Sequence, residues 1–319
     1  MASRGACVVA YAMLCGIWGS TWLVIRIGLQ GAPPFLAAGL RFVIASLVLL
    51  TLAAVFRSKL PMGRTEWGLI ALFGVILFTV DYGLIYWAEN RGLGSGLSAI
   101  LFATMPLQTA LLAHAILRNE PLTIPRVVGI LVGFAGVLLV FRGEFEAAGL
   151  TTLFPMLAII VSATCAALAT VAAKRWGHGI DVFTFNGFAM GIGSIGLLAW
   201  SAAAAEPWAV PSWPAGILSI LYLSLVASVV AFGTYVWLLR KLPATSMSYI
   251  ALVTPVIAVF LGVAIAGEAF DPLAIAGAAI ILSGIYLSTS RRAVSWIRNL
   301  MGAGVVPEAT SAGLKNPKR

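Results

Sequence analysis

The chain has 319 residues, 61% of them hydrophobic and only 10% charged, with a mean hydropathy of +1.02. Twenty Lys and Arg with eleven Asp and Glu cannot cover a water-soluble fold of this size, so lipid must supply most of the surroundings. At roughly 20 residues per crossing, ten crossings take roughly 200 residues, which excludes a separate soluble catalytic domain. The three Cys, Cys7, Cys15 and Cys165, stand in apolar context and offer neither a disulfide framework nor metal-ligand spacing.

In chain order, Arg4 precedes an apolar run that continues to Ile25 without a small-residue cleavage site, which reads as a first membrane helix rather than a signal peptide. Apolar stretches bounded by charges, Pro or Gly then predict ten spans, over residues 6–25, 34–56, 67–88, 95–117, 125–141, 152–173, 182–202, 215–239, 244–267 and 272–289. The first span places Trp18, Ser20 and Thr21 near its middle, beside Gly16 and Gly19, which permit either close helix packing or a ligand. The second holds Arg41, and the third holds Asp81, Tyr82, Tyr86 and Trp87.

An unpaired charge at mid-membrane costs about 2.5–3.5 kcal/mol on insertion scales. Arg41 and Asp81, each about seven residues from the outer end of its span, sit roughly 10 Å below that surface. Equal depth on adjacent helices predicts an ion pair between them, either structural or with Asp81 facing a cavity to meet a substrate amine or carry a proton. The fourth span sets Thr104 and Gln108 on one face with Pro106 between them, the eighth offers Ser224, Ser228 and Tyr235, and the ninth Tyr249, Thr254 and Pro255. Such groups bond neighbouring helices or line a cavity, and Pro106 and Pro255 free backbone carbonyls at candidate hinges. Glu120 and Glu268, at helix junctions, read as caps of the fifth and tenth helices.

An even number of crossings puts both termini on one side. With that side inside, sixteen of the twenty basic residues are cytoplasmic, Arg26, Arg91 and Arg142 are outside, and Arg41 is within a span. The charge of +9 is thus a topology signal and not a nucleic-acid footprint. This predicts an integral protein of a cell membrane, the bacterial inner membrane, with N- and C-termini cytoplasmic and residues 291–319 forming a basic tail on the inner leaflet.

The halves repeat. Met105-Pro106, Glu120, Gly129 and Gly136 recur as Thr254-Pro255, Glu268, Gly277 and Gly284 at offsets of 149, 148, 148 and 148, while Gly83 and Trp87 recur as Gly233 and Trp237 at 150. One copy is five spans, residues 1–147 and then 148–290. An odd copy must insert upside down relative to the first, which gives the inverted-repeat plan of many secondary transporters, two halves with matched options facing in and out.

Ile17-Trp18-Gly19-Ser20-Thr21, Leu40-Arg41-Phe42, Leu97-Ser98-Ala99-Ile100 and Glu120-Pro121-Leu122-Thr123, in that order, resemble the EamA branch of the drug/metabolite transporter superfamily over residues 10–290. The resemblance implies a ten-helix secondary transporter of small metabolites or amino acids, often an exporter. Asp81, aligned with Ala231, and Arg41, aligned near Ala189, depart from symmetry between the halves, and the second copy lacks the Trp-Gly-Ser element. The expected function is alternating-access export of hydrophobic or aromatic amino acids through a central cavity. Alternatives are a membrane receptor or scaffold, or a nucleotide-sugar carrier of related fold, for which Arg41 is the one available phosphate partner within a span. His114 and His178 lack metal-ligand spacing and no Gly-Lys-Ser/Thr loop exists, so neither catalysis nor a cofactor, metal or ATP is expected.

Overall fold

The computed structural model describes residues 4–117, 119–140, 152–257 and 272–289. Among these, every regular element is helical. The helices are α1 (Arg4–Gly28), α2 (Pro34–Val55), α3 (Arg64–Asn90), α4 (Ser95–Ile116), α5 (Ile124–Val140), α6 (Leu153–Trp176), α7 (Val182–Ala203), α8 (Ala215–Leu239), α9 (Ala244–Ile257) and α10 (Pro272–Thr289). Seven of them, α1 to α4 and α6 to α8, are long and apolar enough to cross a membrane by themselves. Each expected span meets a helix. Residues 258–267 of the ninth, Glu268 and the tail from 291 lie outside the described residues.

Helix starts follow local chemistry, with some acceptors supplied from the opposite half. Pro34 opens α2 at a position where its missing N–H costs nothing. The free N–H groups of Phe35 and Leu36 then donate to the Glu206 carboxylate at 3.1 and 2.9 Å, from the loop after α7. Asp181 caps α7 itself, accepting from Phe183 and Thr184. Glu120 corrects the sequence reading: its carboxylate accepts from the backbone N–H groups of Ala244 and Thr245 and from the Thr245 hydroxyl, at 2.8 to 3.2 Å. It therefore caps α9, not the helix that follows it in sequence. Sequence spacing places a cap beside the next helix, whereas packing brings another half's helix N-terminus closer.

The inversion is visible in crossed contacts. α2 packs along α7 and α5 along α10. A Cβ on Gly39 would meet Leu198, and one on Gly187 would meet Leu50; these pairs exchange under the 148-residue offset. Likewise Gly129 lies against Gly284 and Gly136 against Gly277, with the imagined Cβ 2.5 and 2.7 Å from the partner's carbonyl. Contacts in which i meets j′ and j meets i′ are the mark of a two-fold axis, and the descending order along α10 makes the helices antiparallel. The fold is a ten-helix bundle of two inverted five-helix repeats. Such closeness needs glycine, because lipid gives no hydrophobic drive and backbone approach supplies the attraction instead.

Among the described residues, π segments occur over Phe73–Asp81 in α3 and Leu225–Val230 in α8. They are repeat-related, and each holds the same side-chain bond: the Thr79 hydroxyl donates to the Gly74 carbonyl at 3.0 Å and that of Ser228 to Leu223 at 2.8 Å, both five residues back and 149 apart in sequence. π turns of this kind cluster at functional sites.

Candidate functional site

Between the halves lies a cavity open to its surroundings, with about 760 Å³ of atom-free space when the adjoining open volume is included. Its walls come from α1, α3 and α4 of the first half and α6, α8 and α9 of the second. Six of the residues singled out from sequence line it: Trp18, Thr21, Asp81, Tyr82, Tyr235 and Thr254. The wall is otherwise apolar and aromatic, and its rings interlock. Trp18 lies 5.3 Å from Phe232 and 5.2 Å from Tyr235, and Phe232 lies 5.0 Å from Phe78, centroid to centroid.

The remaining candidates serve the scaffold around the cavity. Ser20 bonds to the Ile17 carbonyl and, at 2.7 Å, to the Tyr222 hydroxyl, joining α1 to α8. Thr104 donates to the Leu101 carbonyl and accepts from Gln108. Ser224 donates to the Ile220 carbonyl within its own helix. Tyr86 and Tyr249 are each 2% exposed and stand outside the cavity wall. The two prolines are not treated alike. α4 is interrupted at Ala103 and Thr104, just before Pro106, which sits in the first turn of the helix that resumes. In α9 the turn falls earlier, at Tyr249, and Pro255 continues the helix; the Thr254 hydroxyl reaches the Ala251 carbonyl, which residue 255 has no N–H to satisfy.

Arg41 and Asp81 are both buried, at 0% and 2% exposure, but they do not bond to each other. Arg41 Nε donates to the Ser228 hydroxyl at 2.9 Å, and Nη1 and Nη2 have no hydrogen-bond partner. Its guanidinium lies 4.6 Å from the Tyr82 ring centroid and 4.9 Å from that of Phe42, so aromatic faces take the place of a counter-ion. Asp81 instead accepts a hydrogen bond from Ser162 on α6. The expected direct ion pair is thus absent, for a geometric reason. Adjacent helical residues point about 100° apart, and since Tyr82 presents its face to Arg41, Asp81 is turned toward α6 and the cavity. Arg41 stands behind the wall and Asp81 in it.

The sequence reading placed α6 as a span but named no site residue on it. Ser162, Ala166 and Thr170 form an i, i+4, i+8 row of small and hydroxyl residues; the first holds Asp81, the other two line the cavity, and Thr170 bonds to Tyr235 at 2.6 Å. That row was readable as a small polar stripe. The large apolar liners, Trp22, Phe73, Phe102 and Met105 among them, carried no signal that separates a cavity wall from ordinary packing.

The sequence pattern of the EamA-like transporter family matches the chain twice, over residues 3–142 and 153–290. The chain belongs to that family. It is 30% identical over 275 residues to the uncharacterized inner membrane transporter YedA of Escherichia coli (strain K12), covering 86% of this chain and 87% of that protein. It is 28% identical over 285 residues to the uncharacterized transporter YoaV of Bacillus subtilis (strain 168), covering 87% and 96%. A solved crystal structure at 19% identity superposes with a TM-score of 0.72 over 90% of this chain and 98% of its own, a likeness of fold. Family and relatives together make this an integral membrane transporter.

Proposed function

We propose that the protein is a secondary transporter exporting small amphipathic solutes, hydrophobic or aromatic amino acids foremost, by alternating access around the central cavity. The observation that carries this reading is the composition of the cavity: aromatic walls from both inverted halves, their rings tilted or edge-on to one another, with one carboxylate, Asp81, among the liners. An apolar body fits the rings and a substrate ammonium fits Asp81, while phosphates find no cation in the wall because Arg41 lies behind Tyr82. That disfavours the nucleotide-sugar reading.

Coupling to a proton gradient through Asp81 belongs to the same proposal, as do residence in a bacterial inner membrane with both termini cytoplasmic and division of the chain near residues 147 and 290. The test is flux in proteoliposomes against a panel of amino acids and amphipathic cations, with and without a pH gradient. Flux of aromatic or branched apolar amino acids, accelerated by the gradient, is expected; no flux for any member of the panel would remove the substrate class, and flux indifferent to pH would remove the coupling.

A further inference from the structure

At the Lys/Arg-rich face of the bundle, the end of α6, the loop after it and the end of α8 surround a narrow recess. Lys174, His178 and Arg240 line it together with apolar side chains that include Phe185, Val236 and Leu239. We propose that this recess holds the phosphate headgroup of an anionic phospholipid from the adjoining leaflet, as a site separate from the central cavity.

The donors are present and in part uncommitted. Lys174 spends two N–H groups on the Leu239 and Leu242 carbonyls, at 2.6 and 2.7 Å, and keeps a third. Arg240 gives one to the Ile180 carbonyl and retains the rest of its fork, and His178 is exposed and makes no hydrogen bond. Burial pulls the Arg240 guanidinium below its ordinary value, with Asp181 opposing, so this cation gains from a neighbouring anion. The carboxylates that act on the recess are Asp181 and Glu120, and both are engaged with helix N-termini, of α7 and α9. Trp176 and Trp237, close in sequence to the recess residues, have Arg175 and Lys241 within 6.0 and 4.8 Å of their rings. Trp–cation pairs of this kind mark headgroup depth, and a recess with cations at its mouth and an apolar lining suits a phosphate joined to acyl chains.

The inverted repeat supplies an internal control. Offsets of 148 and 150 map Lys174, His178, Leu239 and Arg240 onto Arg26, Gln30, Glu89 and Asn90 at the opposite face. There the same corner of the fold holds one cation acting on a carboxylate. A general excess of basic residues on one side accounts for the number of charges but not for two of them, with a histidine beside them, lining one recess.

The experiment is thermal unfolding of the purified full-length protein in neutral detergent, titrated with phosphatidylglycerol, phosphatidylcholine or inorganic phosphate. Phosphatidylglycerol is expected to raise the midpoint at lower concentration than phosphatidylcholine, with half-saturation weakened about fivefold when the Arg240 charge is removed in Arg240→Gln, and weakened also when the ring N–H donor is removed in His178→Ala. Lys59→Gln, a basic residue of the same face outside the recess, should leave the titration unchanged. His178 makes no hydrogen bond, so His178→Ala keeps the test valid should Arg240→Gln fail to fold. Equal stabilisation by phosphatidylcholine, an unchanged titration in His178→Ala, or a full shift from inorganic phosphate alone would each overturn the lipid site.

Discussion

Tyr82 does two jobs that a substitution can separate. One face of its ring meets the Arg41 guanidinium, and the side chain lines the cavity. A cation over an aromatic face is worth about 0.5–2 kcal/mol depending on desolvation. Tyr82→Phe should therefore keep the unfolding midpoint in detergent within a degree or two, whereas Tyr82→Leu should lower it and reduce flux, both read on one preparation. Asp81 has a different role. Asp81→Asn keeps an acceptor for Ser162 but cannot ionise, so it should retain the fold and lose gradient-driven flux by roughly a hundredfold or more, within the range of acid–base contributions. Unchanged flux and pH dependence in Asp81→Asn would leave Asp81 a purely structural residue. Ser162→Ala, which removes its hydrogen-bond donor, should shift the pH profile without abolishing flux.

At the scale of helices, two devices hold the halves together: glycine contacts and caps donated across the repeat. Gly136→Leu forces a side chain into backbone only 2.7 to 2.8 Å from its Cβ position. Overpacking of that kind costs about 1–3 kcal/mol, so the detergent midpoint should fall, while Gly16→Ala, whose Cβ meets nothing within 4 Å, should not lower it. Glu120→Ala leaves two buried N–H groups and a hydroxyl at the α9 N-terminus without an acceptor, at about 1–3 kcal/mol, and circular dichroism melting should register the loss. The glycines were legible in the sequence because their spacing repeats exactly. The cap was not, since nothing in the order of residues says that the α4–α5 junction lies beside the start of α9.

Over the whole molecule, hydropathy gave ten spans and the duplicated motifs gave inversion, because lipid imposes length and the repeat imposes symmetry. The cavity was half legible. Hydroxyl and ionisable residues stand out against an apolar chain, so Asp81, Tyr82 and Tyr235 were visible; apolar liners look like any other packing residue, and the α6 row of Ser162, Ala166 and Thr170 is modest enough to pass for helix glue. The Arg41–Asp81 pair failed for a related reason: depth in the membrane follows from counting residues, but facing direction depends on how α3 turns through its π segment. The orientation expected from basic residues is checked by labelling a cysteine-free background carrying Ser58→Cys or Ala209→Cys with an impermeant thiol reagent. Ser58→Cys should react only from the cytoplasmic side and Ala209→Cys only from the other.

The crossed glycine contacts between α5 and α10 also set a timetable. Gly129 and Gly136 are synthesised about 150 residues before the partners that cover them, Gly284 and Gly277. At ribosomal speeds of about 5–20 residues per second this gap lasts roughly 7–30 s. Throughout that interval α5 is inserted with its closest-packing face open to lipid or to another nascent chain, and a chain that stops before α10 never closes it. The helix α10, of the second half, is thus the one that completes the first half.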